Sequence, residues 1–188
     1  SALPEVLERL IELAGRSSAV AGLVLDIEPH VLPEWRSSAR PRLALAMIEL
    51  IGRCHARTSA AGLKLATAVH PALAQTPDLR APERSAFAAL LGATDEVVTM
   101  AYRNEPGRAA VFAGGLMDEL ARSRVPWRFG ITTQDGPNAS TISYFGFAVG
   151  QFQAAVTDLN RRMAGSRAGH NYRGVAVQHY ATVEPLLS

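Results

Sequence analysis

Two carboxylates stand two positions apart at the end of an apolar run: Asp26 and Glu28, in Gly22-Leu23-Val24-Leu25-Asp26-Ile27-Glu28-Pro29-His30. The apolar run predicts a buried strand. Side chains alternate faces along a strand, so Asp26 and Glu28 point the same way, about 6.5–7 Å apart along the backbone. Carboxyl groups that close do not ionise independently. A charged Asp26 would raise the pKa of Glu28 and help keep it protonated near neutrality, as a general acid requires. The competing reading is a strand that simply ends in a polar loop. Polar residues recur at further predicted strand ends: His70, then Tyr102 and Arg103, then Gln134 and Asp135, then Gln178, His179 and Tyr180. That recurrence favours a shared site.

The elements that must position these residues alternate along the chain. Val6, Leu7, Leu10, Ile11 and Ala14 have helical spacing over 4–14 and stop at Gly15. A strand over 20–27 follows. Ser38 is placed to cap a helix from about Pro41 to Arg57, whose stripe is Leu43, Ala46, Met47, Leu50 and Ile51. A strand over 62–69, a helix over 82–91 between Pro82 and Gly92, and a strand over 96–102 come next. A helix over 108–123, a strand over 127–133, a helix over 145–164 that includes Phe145, and a strand over 173–179 complete the series.

Five strands separated by helices imply an α/β fold with a parallel sheet and right-handed crossovers. Two architectures fit. One is an open doubly wound sheet of five strands, which would gather its site at one switch point, usually with a glycine-rich phosphate loop. The other is part of a (β/α)8 TIM-type barrel, which gathers side chains from several strand ends at one face. No glycine-rich phosphate loop follows any strand here, and polar strand ends recur. A partial barrel is therefore expected, as one domain over 1–188. Five strands would leave open edges, to be covered by strands upstream or by a second copy of the chain in a homo-oligomer.

Composition narrows the function classes. The chain has 188 residues, 48% hydrophobic and 19% charged, enough to bury one core. Net charge is +2 and Lys64 is the only lysine. The arginines are scattered, without a basic stripe or interleaved aromatics, which argues against nucleic acid as a partner. No stretch reaches the ~20 apolar residues of a membrane span. The single cysteine, Cys54, cannot form an internal disulfide, and its helical spacing with Met47, Leu50 and Ile51 reads as a buried, inert thiol. Ser1-Ala2-Leu3-Pro4 opens abruptly into a helical pattern, so any secretion signal is expected upstream.

In order and spacing, the strand ends resemble the chitinase-like glycoside hydrolases, whose catalysis is substrate-assisted. The family's D-G-x-D-x-D-x-E at its fourth strand aligns with Ala21-Gly22-Leu23-Val24-Leu25-Asp26-Ile27-Glu28. Its M-x-Y-D or M-x-Y-N at the sixth strand aligns with Met100-Ala101-Tyr102-Arg103, and G-x-M-x-W at the eighth with Gly174-Val175-Ala176-Val177-Gln178. The visible strands then count as four to eight, and three would precede them. Ala21, Val24, Arg103 and Gln178 depart from the pattern, so the likeness is that of a divergent barrel family, such as the bacterial exopolysaccharide-processing barrels, more than of a chitinase.

The resemblance implies a glycosidase acting on a polysaccharide or amino-sugar oligomer, without a cofactor, and a secreted or periplasmic location. Glu28 would protonate the glycosidic oxygen. Asp26 would orient an N-acetyl group whose carbonyl attacks the anomeric carbon, one exception to the two-carboxylate scheme. Tyr102 would donate its hydroxyl to that carbonyl oxygen. Met100 would serve as wall, and Gln178 would put a hydrogen-bonding group where the family has a stacking tryptophan.

The remaining candidates are substrate contacts. Trp35, in the loop after the acidic strand, is placed for sugar stacking, whereas Trp127 at the opposite end of its strand reads as core. His30, His70 and His179 could contact substrate. A metal site formed with them is the competing reading, although no H-x-H or H-x-x-x-H pair is present, and no metal is expected. Arg103 could bind an anionic sugar group or pair with Asp26 or Glu28. Gln134 and Asp135 open a polar segment over 134–144 that could close over the site or merely connect two elements. Tyr180 ends the last polar cluster. A catalytically inactive carbohydrate-binding barrel and a metal-dependent hydrolase are the alternatives to the glycosidase.

Overall fold

A computed structural model describes residues 3–178 and 180–186. The fold is α/β, with a five-stranded parallel sheet in the order β1-β2-β5-β6-β7. Its strands are Gly22–Asp26 (β1), Lys64–Val69 (β2), Glu96–Thr99 (β5), Trp127–Thr132 (β6) and Tyr172–Gln178 (β7). Two compact units divide the chain at Val97/Val98, within β5. No helix among the described residues is long and apolar enough to cross a membrane.

In the first unit, helix α1 (Leu3–Gly15) buries Leu7 and Ala14. Of the rest of its expected stripe, Ile11 is half-buried and Val6 and Leu10 are exposed, as is Leu13. Strand β1 pairs in parallel with β2, Leu23 opposite Leu65 and Asp26 opposite Ala68. A Cβ at Gly22 would lie 2.5 Å from the Lys64 carbonyl oxygen, so only glycine lets the two backbones approach. Helix α2 (Arg40–Ala60) lays Ala44, Met47, Ile48, Ile51 and Cys54 into the core. Its N-cap is Ala39, without a side-chain cap, rather than Ser38. The neighbouring Ser37 Oγ accepts the Ala39 N–H instead. Burial pushes the Cys54 thiol above its usual range, in keeping with an inert buried cysteine.

The expected helix over 82–91 is largely replaced. Pro77–Asp78 (β3) and Ala81–Ser85 (β4) form an antiparallel hairpin, and only Ala86–Leu90 (α3) is helical. Local chemistry explains the difference. The Asp78 carboxylate accepts the Arg80 N–H and Nε–H, which fixes the turn. Ser85 Oγ accepts the Ala88 N–H, which starts the helix later. Pro82 is tolerated in a two-stranded ribbon because an edge position needs no donor.

In the second unit, β6 and β7 pair in parallel, Gly130 opposite Ala176 and Thr132 opposite Gln178. The register shifts between Trp127 and Phe129, opposite an extra residue in β7, and Gly174 takes φ +104° there. A Cβ at Gly130 would lie 2.3 Å from the Thr99 carbonyl oxygen. Trp127, Phe129 and Ile131 are buried, and Trp127 Nε1 donates to the Ala168 carbonyl at 2.9 Å, as expected of a core residue. The expected helix over 108–123 is two shorter ones, Pro106–Phe112 (α4) and Gly114–Leu120 (α5). Segment 134–144 contains a single turn, Ala139–Ile142 (α6), and returns to β6 where the Tyr144 N–H donates to Thr132 O. Helix α7 (Val149–Ala164) begins later than expected, because Gly146 adopts φ +77° and turns the chain; Phe145 is left exposed. A last short helix, Tyr180–Val183 (α8), follows β7.

Candidate functional site

The first unit gathers Asp26, Glu28, His30, Trp35 and His70 around the C-terminal ends of β1 and β2. Alternation along β1 leaves Val24, Asp26 and, just beyond the strand, Glu28 exposed, while Leu23, Leu25 and Ile27 are half-buried. Asp26 lies opposite Ala68, and the same alternation carries the β2 side to His70. Glu28 leaves extended geometry at φ −112°, ψ 70°. Its carbonyl accepts the Val31 N–H, closing a 3₁₀ turn over Pro29–Val31 that carries His30.

His30 and His70 stack, with ring centroids 4.0 Å apart and planes 18° from parallel. His70 Nδ1 accepts the Ala72 N–H at 3.1 Å and so caps the 3₁₀ turn Pro71–Gln75. Enclosure pushes the Asp26 carboxyl above its ordinary range, opposed by the charge on His30. The same enclosure holds His30 below its usual value, against the pull of Glu28 and Asp26. Asp26 remains largely open to solvent, which screens these interactions.

Beneath the two imidazoles lies a small recess, lined by Ile27, Pro29, Trp35, Met47 and Leu73 with the rings themselves. Trp35 is only 7% exposed, and the Arg40 guanidinium covers its ring at 5.2 Å. Arg40 also donates to Thr76 Oγ1 and to the Ala72 carbonyl. Sugar stacking on an open Trp35 face is thus replaced by a floor beneath the histidines. A second, open apolar groove meets Glu28 from the other side, between Leu32 and Leu43, Ala46 and Leu50 of α2. Sequence reasoning assigned the α2 residues to core and passed over Arg40, because nothing in a linear pattern tells which helix positions face a loop.

The second unit holds the other candidates. Met100 is buried and Tyr102 half-buried. The Arg103 guanidinium lies 3.9 Å over the Phe112 ring and donates to the Tyr102 carbonyl at 2.6 Å. Gln134 and Asp135 are exposed; the Gln134 N–H donates to Thr132 Oγ1, and Asp135 accepts the Gly136 N–H. Gln178, exposed, sits beside Thr132 across the β6–β7 pair, and its carbonyl accepts from Thr133. His179 lies outside the described residues, and Tyr180 is described only as the start of α8.

Among the described residues, no group of three or more His, Cys, Asp or Glu side chains is arranged to hold a metal ion. The near-parallel planes of His30 and His70 give a stack, not a pair of converging nitrogens. No family model, curated protein or solved structure matches this chain.

Proposed function

We propose that this chain is a segment of a β/α barrel that hydrolyses glycosidic bonds in a polysaccharide or amino-sugar oligomer, with Glu28 as the proton donor. The observation that carries the reading is the exposure of Asp26, the last residue of β1, and of Glu28 two positions beyond it, at the C-terminal strand end where barrel enzymes collect their chemistry. Glu28 reaches solvent and can approach a glycosidic oxygen. The upward push on Asp26 lets that carboxyl keep its proton to higher pH than an ordinary aspartate, suited to a hydrogen bond with a substrate acetamido group. Strand order supports the barrel over a doubly wound sheet. Doubly wound sheets reverse their order at a switch point, whereas β1-β2-β5-β6-β7 runs in one direction throughout. Among the described residues, β1 and β7 end that order with unpaired backbone edges, and further βα units or a second copy would pair them.

The test is Glu28→Gln assayed on an N-acetylated oligosaccharide. Turnover should fall about 10²–10⁴-fold, the range of a lost general acid, while binding by calorimetry stays within a few-fold. Unchanged turnover would refute the assignment. A second reading, a carbohydrate-binding barrel without chemistry, is favoured by Val24. It is 67% exposed on the Asp26 face, where the resembling family carries a carboxylate. Binding without any turnover in the unaltered chain would select that reading.

A further inference from the structure

His30 and His70 belong to different loops and meet face to face. The tautomer of one ring follows from its partner: His70 Nδ1 accepts the Ala72 N–H at 3.1 Å, so it carries no proton, and the ring in this arrangement is the neutral Nε2–H form. Protonation at Nδ1 would set two donors against each other and remove the cap from the Pro71–Gln75 turn. A second imidazolium 4.0 Å away from a first is disfavoured by like charge. The stack is therefore compatible with neutral rings; a proton on His70 costs its cap, and protonation of both rings sets like charges face to face.

We propose that the His30–His70 stack is a pH-operated latch, which fastens the Pro29–Val31 turn and the adjoining Glu28 to the end of β2 while the rings are neutral and releases it on protonation. The two sides of the latch differ in anchorage. The His70 side is tied down by Arg40, which donates to Ala72 O and Thr76 Oγ1. The Pro29–Val31 turn has no buried residue of its own, and Val31 and Leu32 are exposed, so the movement falls there.

The charged groups around His30 are few. Asp26 on β1 and the preceding Glu28 favour its cation, and enclosure disfavours it. On the elements packed against the turn, Glu34, Arg36, Arg42 and Glu49 are exposed, and Arg40 is engaged as described. Trp35, Met47 and Leu73 below the rings bring no charge. Release on acidification exchanges the stack for solvated imidazolium beside two carboxylates, which is favourable once the rings part. The latch does not depend on the hydrolase reading, but it regulates the same Glu28.

The experiment follows the histidine ring protons of the full chain by NMR, with amide hydrogen exchange over residues 27–37, from about pH 8 to about pH 5. His30 should titrate below 6.5. Exchange over 27–37, corrected for intrinsic rates, should rise with acidification by up to about tenfold per pH unit, the slope of one-proton linkage. His70→Asn keeps a capping side chain but removes the ring, so His30 should titrate closer to its ordinary value and exchange should be fast at every pH. His30→Phe keeps a flat ring that cannot titrate, so exchange should be slower than in the unaltered chain at acid pH and keep only the weaker pH dependence that His70 supplies. Circular dichroism checks that each variant is folded. A pH-independent exchange profile in the unaltered chain, or an unchanged His30 titration in folded His70→Asn, would overturn the latch. Neither readout uses activity, so loss of the hydrolase reading through Glu28→Gln would leave this result intact.

Discussion

Tyr144→Phe should stabilise the protein, and the structure sets the size of the effect. Tyr144 is fully buried, its ring edge-on to Phe147 at 5.2 Å and to Phe152 at 5.6 Å, and its hydroxyl has no hydrogen-bond partner. Burial, with Asp158 nearby, pushes the phenol up to about 12. An unsatisfied buried polar group costs about 1–3 kcal/mol, and phenylalanine removes it without changing the ring contacts. The hydroxyl leaves a void of roughly 10 Å³, worth only about 0.2 kcal/mol at about 24 cal/mol per Å³. The net gain is about 1–3 kcal/mol. Urea unfolding followed by tryptophan fluorescence and circular dichroism measures it directly. In a thermal melt the gain is about 2–4 °C per kcal/mol for the whole chain, or about 4–8 °C if the 98–188 unit melts alone. A loss of about 1 kcal/mol instead would refute the reasoning, because it would mean that the hydroxyl bonds an internal water or protein group.

Two further outcomes are expected. The Asp95 carboxylate accepts the Leu65 N–H at 2.9 Å and meets Lys64 Nζ and His55 Nε2, each at 3.2 Å. Burial pushes that carboxyl up, but the Leu65 N–H and Lys64 outweigh it, and the pKa lies below the ordinary value. Its stabilising contribution is therefore complete above about 3.8 and lost as pH falls through the lowered pKa. Asp95→Ala should cost about 1.5–3 kcal/mol near neutrality and flatten the acid limb of the stability–pH curve, both read by urea titrations at several pH values. Gly130→Ala would place a methyl 2.3 Å from the Thr99 carbonyl oxygen, which is backbone and cannot turn aside. A destabilisation of about 1–3 kcal/mol or more is expected in the same assay, and wild-type stability would contradict the close approach of those strands.

Much of the fold was legible because hydrophobic period and punctuation are local. Strands at 22–26, 64–69, 127–132 and 172–178, and helix 40–60, fall within a few residues of the pattern-based expectation. The miss at 82–91 came from Asp78 and Ser85, side chains that bond backbone N–H groups and override a helical-looking composition. The late start of α7 came from Gly146, whose positive φ no hydrophobic pattern reveals. The position of Trp35 after the acidic strand suggests a platform for sugar stacking. Its burial under Arg40 depends on how α2 returns past that loop, a contact set by packing.

What the sequence by itself determined is the αβ alternation and the parallel pairing it requires, since the helix and strand periods are local to each segment. Only the tertiary structure decided that Val6, Leu10 and Leu13 of an apolar helix stay exposed, and that enclosure raises the Asp26 carboxyl. It alone brought His30 onto His70 across 40 positions of chain. Burial and ring stacking depend on which elements become neighbours, and neighbours distant along the chain are set by the packing of the whole, not by the period of any one segment.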